Sequence, residues 1–438
     1  MSMSILIVMA AVLPSADSAA TPTVISLEKA LEIALSESPS VKVADKEIET
    51  KKFAKKGSYA ALYPEISANG TFNRTLKKQV MSMDFMGKSQ SIEVGRWNTW
   101  GAGLNAQMPL VNAQLWRSLK VSGEDVELAV EKARSSRLEM VNQVKQAYYG
   151  VLLAKEANKV YTEVYENAVA NCELTEKKYN ASKASELDLT RAKTAVANAV
   201  PNLYDSDNAI AIALWQLKAV MGIDLSSNID VADSLLCYSG GMEFAAGSYD
   251  LTNNSTLKQL EIQAEEIANS IKIQQYANLP SLALAFSYSY NAMEDDFKFK
   301  EYNWFPYSYV ALSLNIPIFA GGKRHSAVKQ AKLQAETLDI QKENTERQLR
   351  IAISQYLSTM QTASKSYGAA LEALESAHKA YDISAKSYEV GRSTLTDLND
   401  AQLALTQAQL NVSQAIYKFI VAKAGLESTI GADFSETK

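Results

Sequence analysis

The sequence predicts a mainly helical protein with a small β part, assembled from one unit used twice. Three observations carry this. Long proline-free stretches run at helical length: Asn112–Tyr179 contains no proline, and its only glycines are Gly123 and Gly150. Four short segments alternate apolar and polar residues, the period of a strand. The order of these blocks also recurs. "MPLVNAQLWRSLKVS" from Met108 returns as "IPIFAGGKRHSAVKQ" from Ile316, with Pro109 and Pro317 208 residues apart. "YNASKASELDLTRA" from Tyr179 returns as "YEVGRSTLTDLNDA" from Tyr388, and "MGID" at Met221 as "IGAD" at Ile430, both at a spacing of 209. Three separated blocks that hold register to within one residue define a duplication of about 200 residues.

Taken in order, residues 1–20 read as a secretory leader. The apolar run Ile5–Leu13 precedes the small residues "SADSAA", and no Lys or Arg precedes Ile5. The first repeat is expected over 21–223. It opens with a helix from Ser26 to about Leu62, breaks at Pro64, forms a β-hairpin over 64–109 and continues as long helices over 112–222. Pro201 removes one backbone donor there and is expected to kink the helix. Its counterpart in the second copy is Leu410. A linker of mixed character follows over 224–254. The second repeat, 255–438, repeats the order: a lead helix to about Asn278, a break at Pro280, a hairpin over 280–317, long helices over 323–430 and a C-terminal tail. Pro64, Pro109, Pro280 and Pro317 are thus the strand–helix junctions. Tyr367, Leu374, Tyr381 and Tyr388 fall seven apart, a seam suited to paired helices.

The bulk composition excludes several functions. The 438 residues carry a formal charge of −5 and a pI near 5.5, without the basic stripe that phosphate binding needs. Two His and two Cys leave little for metal centres or catalytic triads. His325 and His378 read as helix-surface residues. Cys172 and Cys237 are either one disulfide in an oxidising compartment or two free thiols. No nucleophile–base or metal-ligand spacing stands out, so neither an enzyme nor a cofactor is expected. No apolar run reaches the length of a membrane-spanning helix.

The alternating segments point elsewhere. Ile66, Ala68, Gly70 and Phe72 make one face of the first, and Trp100, Ala102, Leu104 and Ala106 one face of the second. Leu282, Leu284, Phe286, Tyr288 and Tyr290 mark the third, and Val310, Leu312, Leu314 and Ile316 the fourth. Their backs are Ser, Asn, Thr, Gln, Ala and Gly. That pattern fits membrane strands with lipid on one side and water on the other. Trp97, Trp100, Trp304, Phe305, Tyr307 and Tyr309 gather near strand ends and read as an interfacial girdle. Four strands cannot close a barrel, and an open edge in lipid leaves backbone groups unsatisfied. An oligomer that shares one barrel is therefore expected. A periplasmic coiled-coil scaffold with soluble sheets is the alternative, but it has no need of four apolar faces.

With "QMPLVN" and "NIPIFAGGKRHSAVKQA" at the strand-to-helix passages and "YEVGRSTLTDLNDAQ" at a helix–turn–helix tip, the chain resembles the TolC family of outer-membrane efflux channels from about Ser26 to Asp433. The resemblance implies a homotrimer with a β-barrel in the outer membrane and an α-helical barrel across the periplasm. It also implies an adaptor (membrane fusion) protein and an inner-membrane pump as partners, and passive passage of small molecules or proteins. Tyr388, Asp397 and Asp400 match the family's periplasmic constriction. Asp188 matches the aspartate that the family's tyrosine bonds, which implies a Tyr388–Asp188 latch. Gly391 matches the turn glycine met by the adaptor. Ser182 takes that place in the first copy, and Arg392 falls one position before the family's latch arginine. Independently of the resemblance, Ser185-x-x-Asp188 and Thr394-x-x-Asp397 both have the form of a capping box.

Overall fold

The computed structural model describes residues 22–85, 88–242 and 249–432. The leader expected over 1–20 and the residues after 432 lie outside the described residues. In chain order the elements are β1 (Thr23–Ile25), α1 (Leu27–Glu37), α2 (Pro39–Ala60), β2 (Glu65–Arg74), β3 (Gln79–Phe85), β4 (Lys88–Val94), β5 (Asn98–Val111), α3 (Ala113–Asn180) and α4 (Glu186–Met221). Then follow β6 (Ile229–Val231), a 3₁₀ turn over Leu235–Gly241, α5 (Ser255–Tyr276), β7 (Ser281–Glu294), β8 (Phe305–Asn315), α6 (Lys323–Glu389) and α7 (Leu395–Ile430). The order helix, two strands of the main sheet, long helix, long helix thus occurs twice. Two compact units partition the chain, and each draws on both halves of the duplication. One comprises Val43–Ser135 and Asn254–Gln348. The other comprises Met1–Lys42, Ser136–Asn253 and Leu349–Lys438.

The first unit holds an antiparallel sheet of order β2-β5-β7-β8. Its register joins the four expected apolar faces into one. Ala68 lies opposite Leu104, Leu104 opposite Tyr288, and Phe286 opposite Val310. Paired residues share a face, so a single side carries Ile66, Leu104, Phe286, Val310, Leu312 and Leu314, all exposed in the isolated chain. The reverse side is polar and hydrogen-bonded across strands: Ser287 Oγ donates to Asn105 Oδ1 at 2.9 Å, and Asn105 Nδ2 to Asn69 Oδ1 at 2.7 Å. β5 does not end at Pro109 but runs on to Val111. The register shifts between those two residues, at the bulge where a missing proline N–H is tolerated. Asn112 then caps α3 by accepting the Leu115 N–H at 3.0 Å.

The register also corrects the aromatic girdle. Phe305, Tyr307 and Tyr309 pair with Asn291, Ser289 and Ser287, so they stand on the polar side of the sheet and not on the apolar one.

The segment between β2 and β5 contains the β3–β4 hairpin. It is tied to the β7–β8 connection through Asp295. That carboxylate accepts the Trp97 backbone N–H at 2.8 Å, an Arg96 bond at 2.8 Å, and faces Lys78 at 3.4 Å. The Trp97 N–H and the neighbouring cations hold the Asp295 carboxyl down at about 2. Lys78 stands over the Trp97 ring, 4.8 Å from its centroid.

In the second unit β1 and β6 form a two-stranded parallel sheet. The expected single lead helix is two helices. Ser38 takes an extended ψ of 129° before Pro39, as a residue preceding proline prefers. α4 is one helix through Pro201. The core around Val144, Tyr148, Leu152, Leu217 and Ile416 is fully buried. Tyr148 resolves its hydroxyl on Asp233 Oδ2 at 2.8 Å and the Ile25 carbonyl at 3.2 Å, and Tyr238 reaches the same Asp233 oxygen at 2.9 Å. Lys145 and Glu427 form a 2.6 Å ion pair at the edge of this core. Burial, with Glu427 nearby, pushes Tyr149 up to about 12. Gly222 ends α4 in the left-handed region, φ 73°, where a Cβ would stand 3.0 Å from the Glu37 carbonyl. Cys172 and Cys237 are free thiols. His325 and His378 are exposed on α6.

Candidate functional site

Two helix–turn–helix tips carry the residues singled out by the sequence. The first joins α3 to α4, the second α6 to α7. Both α3 and α6 end in the same six-residue closure. In the first tip the Ser182 N–H donates to the Tyr179 carbonyl at 2.8 Å, and the Lys183 N–H to the Lys178 carbonyl at 2.7 Å. In the second the Gly391 N–H donates to Tyr388 at 3.1 Å, and the Arg392 N–H to Ser387 at 2.8 Å. The turn residue is left-handed in both, φ 60° at Ser182 and 78° at Gly391. Glycine adopts that conformation freely; serine does so with strain. The two positions are thus conformational equivalents despite the change of residue.

Each following helix starts with a closed capping box. Ser185 Oγ accepts the Asp188 N–H at 3.1 Å, and Asp188 Oδ2 accepts the Ser185 hydroxyl at 2.7 Å and its N–H at 3.2 Å. Thr394 and Asp397 repeat this at 3.2, 2.7 and 2.9 Å. These bonds stabilise the ionised acids. The Ser185 hydroxyl is the larger cause of the lowered Asp188 pKa, and the Thr394 N–H of the lowered Asp397 pKa. Asp400, one turn further along α7, is exposed.

The expected Tyr388–Asp188 latch is not formed. Asp188 Oδ2 closes the cap of α4. Tyr388 is buried, 6 % exposed, in a cluster with Ala192, Leu395 and Leu398, flanked by Cys172 and Tyr381. Its hydroxyl lies 2.6 Å from Thr175 Oγ1. Thr175 is itself 0 % exposed and donates its one proton to the Asn171 carbonyl at 2.7 Å, which makes Tyr388 the donor in their bond. The Lys178 ammonium stands 3.9 Å from the Tyr388 ring centroid and also donates to the Tyr388 carbonyl. Burial lowers the Lys178 pKa. Thr175 and Lys178 escaped the sequence reading. The duplication held a signal for them: at the 209-residue spacing they align with Ser384 and Ser387, so the second helix pair has neither a threonine nor a lysine at those places. Arg392 is exposed. Ser393, at the position the family gives to its arginine, donates to the Ser384 carbonyl at 3.3 Å.

A model of the outer membrane efflux protein family matches residues 30–223 and 248–432. The chain belongs to the outer membrane efflux protein family. It is an outer-membrane channel of an efflux or secretion system. Among family members, the Vibrio cholerae outer membrane protein TolC is 23 % identical over 337 residues, which cover 75 % of this chain and 76 % of that protein. The alkaline protease secretion protein AprF of Pseudomonas aeruginosa is 22 % identical over 352 residues, 76 % of this chain and 70 % of AprF. In fold, the Campylobacter jejuni CmeC outer membrane channel superposes with a TM-score of 0.75 at 17 % identity, covering 94 % of this chain and 87 % of CmeC. The open-state Neisseria gonorrhoeae MtrE channel gives 0.72 at 18 %, with 92 % and 88 % covered.

Proposed function

We propose that three copies of this chain share one β-barrel and one helical tunnel, and that the assembly is a passive duct gated at its helical tips. The carrying observation is the sheet. It has one continuous apolar face, and its edge strands β2 and β8 have no partner on their outer sides within the described chain. In lipid such edges are untenable, because each unpaired backbone group costs several kcal/mol. Pairing β8 of one copy with β2 of the next removes them, and three copies supply about twelve strands in all.

In that arrangement Asp397 and Asp400 from three chains ring the axis at the tip. A ring of carboxylates draws cations and repels anions. Tyr388 sets the position of the second tip, and Asp188 fixes the start of α4. The exposed turns at Ser182, Gly391 and Arg392 are the surface offered to a periplasmic adaptor, itself joined to an inner-membrane pump. The repeat boundaries at 21–223 and 255–438, joined by 224–254, belong to the same proposal. The chain supplies a path, and the energy comes from the pump.

Two measurements test this. Native mass spectrometry of the detergent-extracted protein is expected to return a mass of three chains; a stable monomer or dimer refutes the shared barrel. In planar bilayers the Asp397→Ala/Asp400→Ala variant is expected to conduct more and to discriminate less between cations and anions. Unchanged conductance and selectivity remove these residues from the gate.

A further inference from the structure

The misplaced aromatics of β8 carry a consequence for cargo. Phe305, Tyr307 and Tyr309 are consecutive on the polar face of the sheet and 66 %, 60 % and 45 % exposed. The Tyr307 and Tyr309 rings are neighbours, with centroids 5.7 Å apart. They begin at the first residue of β8, directly after the β7–β8 connection, and so at the opposite end of the strand from the Pro317 helix junction. On that face, among the described residues of the four strands, the pairing places Ser, Thr, Asn, Gln, Gly, Ala, Pro and Met besides the three rings, and a single charged residue, Glu65. A water-facing strand has no packing reason to hold three exposed rings. Their faces are negative and attract cations, and no Lys or Arg shares the surface to compete.

We propose that Phe305, Tyr307 and Tyr309 form an aromatic collar inside the outer mouth of the barrel, a transient binding site for cations that carry aromatic rings on their way out. This rests on the reading that the polar face lines a shared lumen. With three copies, nine rings face the same water column. Departing solutes of this class stack on them, and the collar both narrows the mouth and favours such cargo over small inorganic anions.

The test has two arms. In a Cys172→Ser/Cys237→Ser background in proteoliposomes, Tyr309→Cys is expected to react with a bulky water-soluble maleimide and Val310→Cys to be protected by lipid. The reverse pattern overturns the lumen reading and the collar with it. In planar bilayers, tetraphenylphosphonium added on the outer side is expected to block the current. The half-blocking concentration is expected to rise about tenfold in Phe305→Ser/Tyr307→Ser/Tyr309→Ser, while block by tetraethylammonium, which has no rings, stays the same. If the labelling pattern holds and tetraphenylphosphonium blocks wild type and triple variant equally, the collar is refuted and the duct stands. Single Tyr307→Ser and Tyr309→Ser variants, each expected to give part of the shift, serve if the triple variant fails to assemble.

Discussion

The tip contact that replaces the expected latch can be taken apart quantitatively. Thr175→Val keeps the shape of the side chain but strands the Tyr388 hydroxyl, which is buried and has Thr175 as its acceptor. An unmet buried donor costs about 1–3 kcal/mol. Tyr388→Phe removes the donor instead and leaves Thr175 still bonded to Asn171, a cost of about 1 kcal/mol. The double variant removes both partners, so its cost is expected to fall below the sum by about 1 kcal/mol. The assay is amide hydrogen exchange, by mass spectrometry, of the peptide covering Ser384–Leu398 in the detergent-extracted protein. Local opening eased by 1–2 kcal/mol speeds exchange about 5- to 30-fold. Thr175→Val is expected to fall in that range, Tyr388→Phe at its lower end, and the double variant near Tyr388→Phe. Lys178→Met, which removes the cation over the ring and the bond to the Tyr388 carbonyl, is expected to accelerate the same peptide about as much as Thr175→Val. Strictly additive costs in the cycle refute the claim that Tyr388 is held through Thr175.

Four further outcomes follow from the geometry. Lys145→Met leaves the half-buried Glu427 without its cation and is expected to cost about 1–3 kcal/mol, while Lys145→Met/Glu427→Leu recovers most of it; thermal melts monitored by circular dichroism compare the two. Gly222→Ala forces an L side chain into φ 73° against the Glu37 carbonyl, costs on the order of 1–2 kcal/mol or more, and is expected to lower the yield of folded protein on the same melts. Asp188 and Asp397 have folded pKa values below their ordinary one, so their caps contribute fully above about pH 4 and are lost as pH falls through the lowered values; exchange in the first turns of α4 and α7, corrected for intrinsic rate, is expected to rise below that pH in wild type and to be raised at all pH in Asp188→Asn and Asp397→Asn. Asp295 holds its charge down to about pH 2, so the tie between the two hairpin connections is expected to survive pH 4, whereas Asp295→Ala exposes residues 75–97 to limited proteolysis at neutral pH.

What was legible depended on period and length. A side-chain period of two is unambiguous when one face is apolar throughout, and the four main strands and their apolar faces read directly, with the strand ends within two residues of Pro109 and Pro317. In the β3–β4 hairpin Met81, Met83 and Phe85 alternate with Ser82 and Asp84, but their partners in β4 are Ile92, Gln90 and Lys88, so no apolar face runs across both strands, and β1 and β6 have three residues each, too few for any period. The break at Ser38 is encoded by Pro39, although the apolar spacing continues across it. The β8 aromatics were grouped by nearness to a strand end. Counting parity back from Val310 puts them on the other face, so the information was present but weighed below composition. Thr175 lies nearly four turns of helix from Asp188 along the sequence, and only the packing of α3 against the second tip brings it to Tyr388.

The capping boxes also change how the tip can work. A carboxylate that closes a cap has its position fixed but not its charge spent: the bonds that hold Asp397 to Thr394 lower its pKa, so it stays ionised at neutral pH. Capping and an electrostatic role are therefore compatible for Asp397. Asp188 likewise closes its cap through Oδ2 while its pKa stays lowered. Asp400, exposed one turn further on α7, is under no such constraint. In the proposed gate a movement of α7 as a whole carries Asp397 and Asp400 together. The restraint on that movement is the cluster around Tyr388, which joins α6 and α7 to α3 by apolar contact, one neutral hydrogen bond and one cation over a ring. Charges exposed at a tip are screened within about 8 Å at physiological salt. The buried, neutral Tyr388–Thr175 contact is not, so this part of the restraint responds less to ionic strength than the proposed ring of carboxylates.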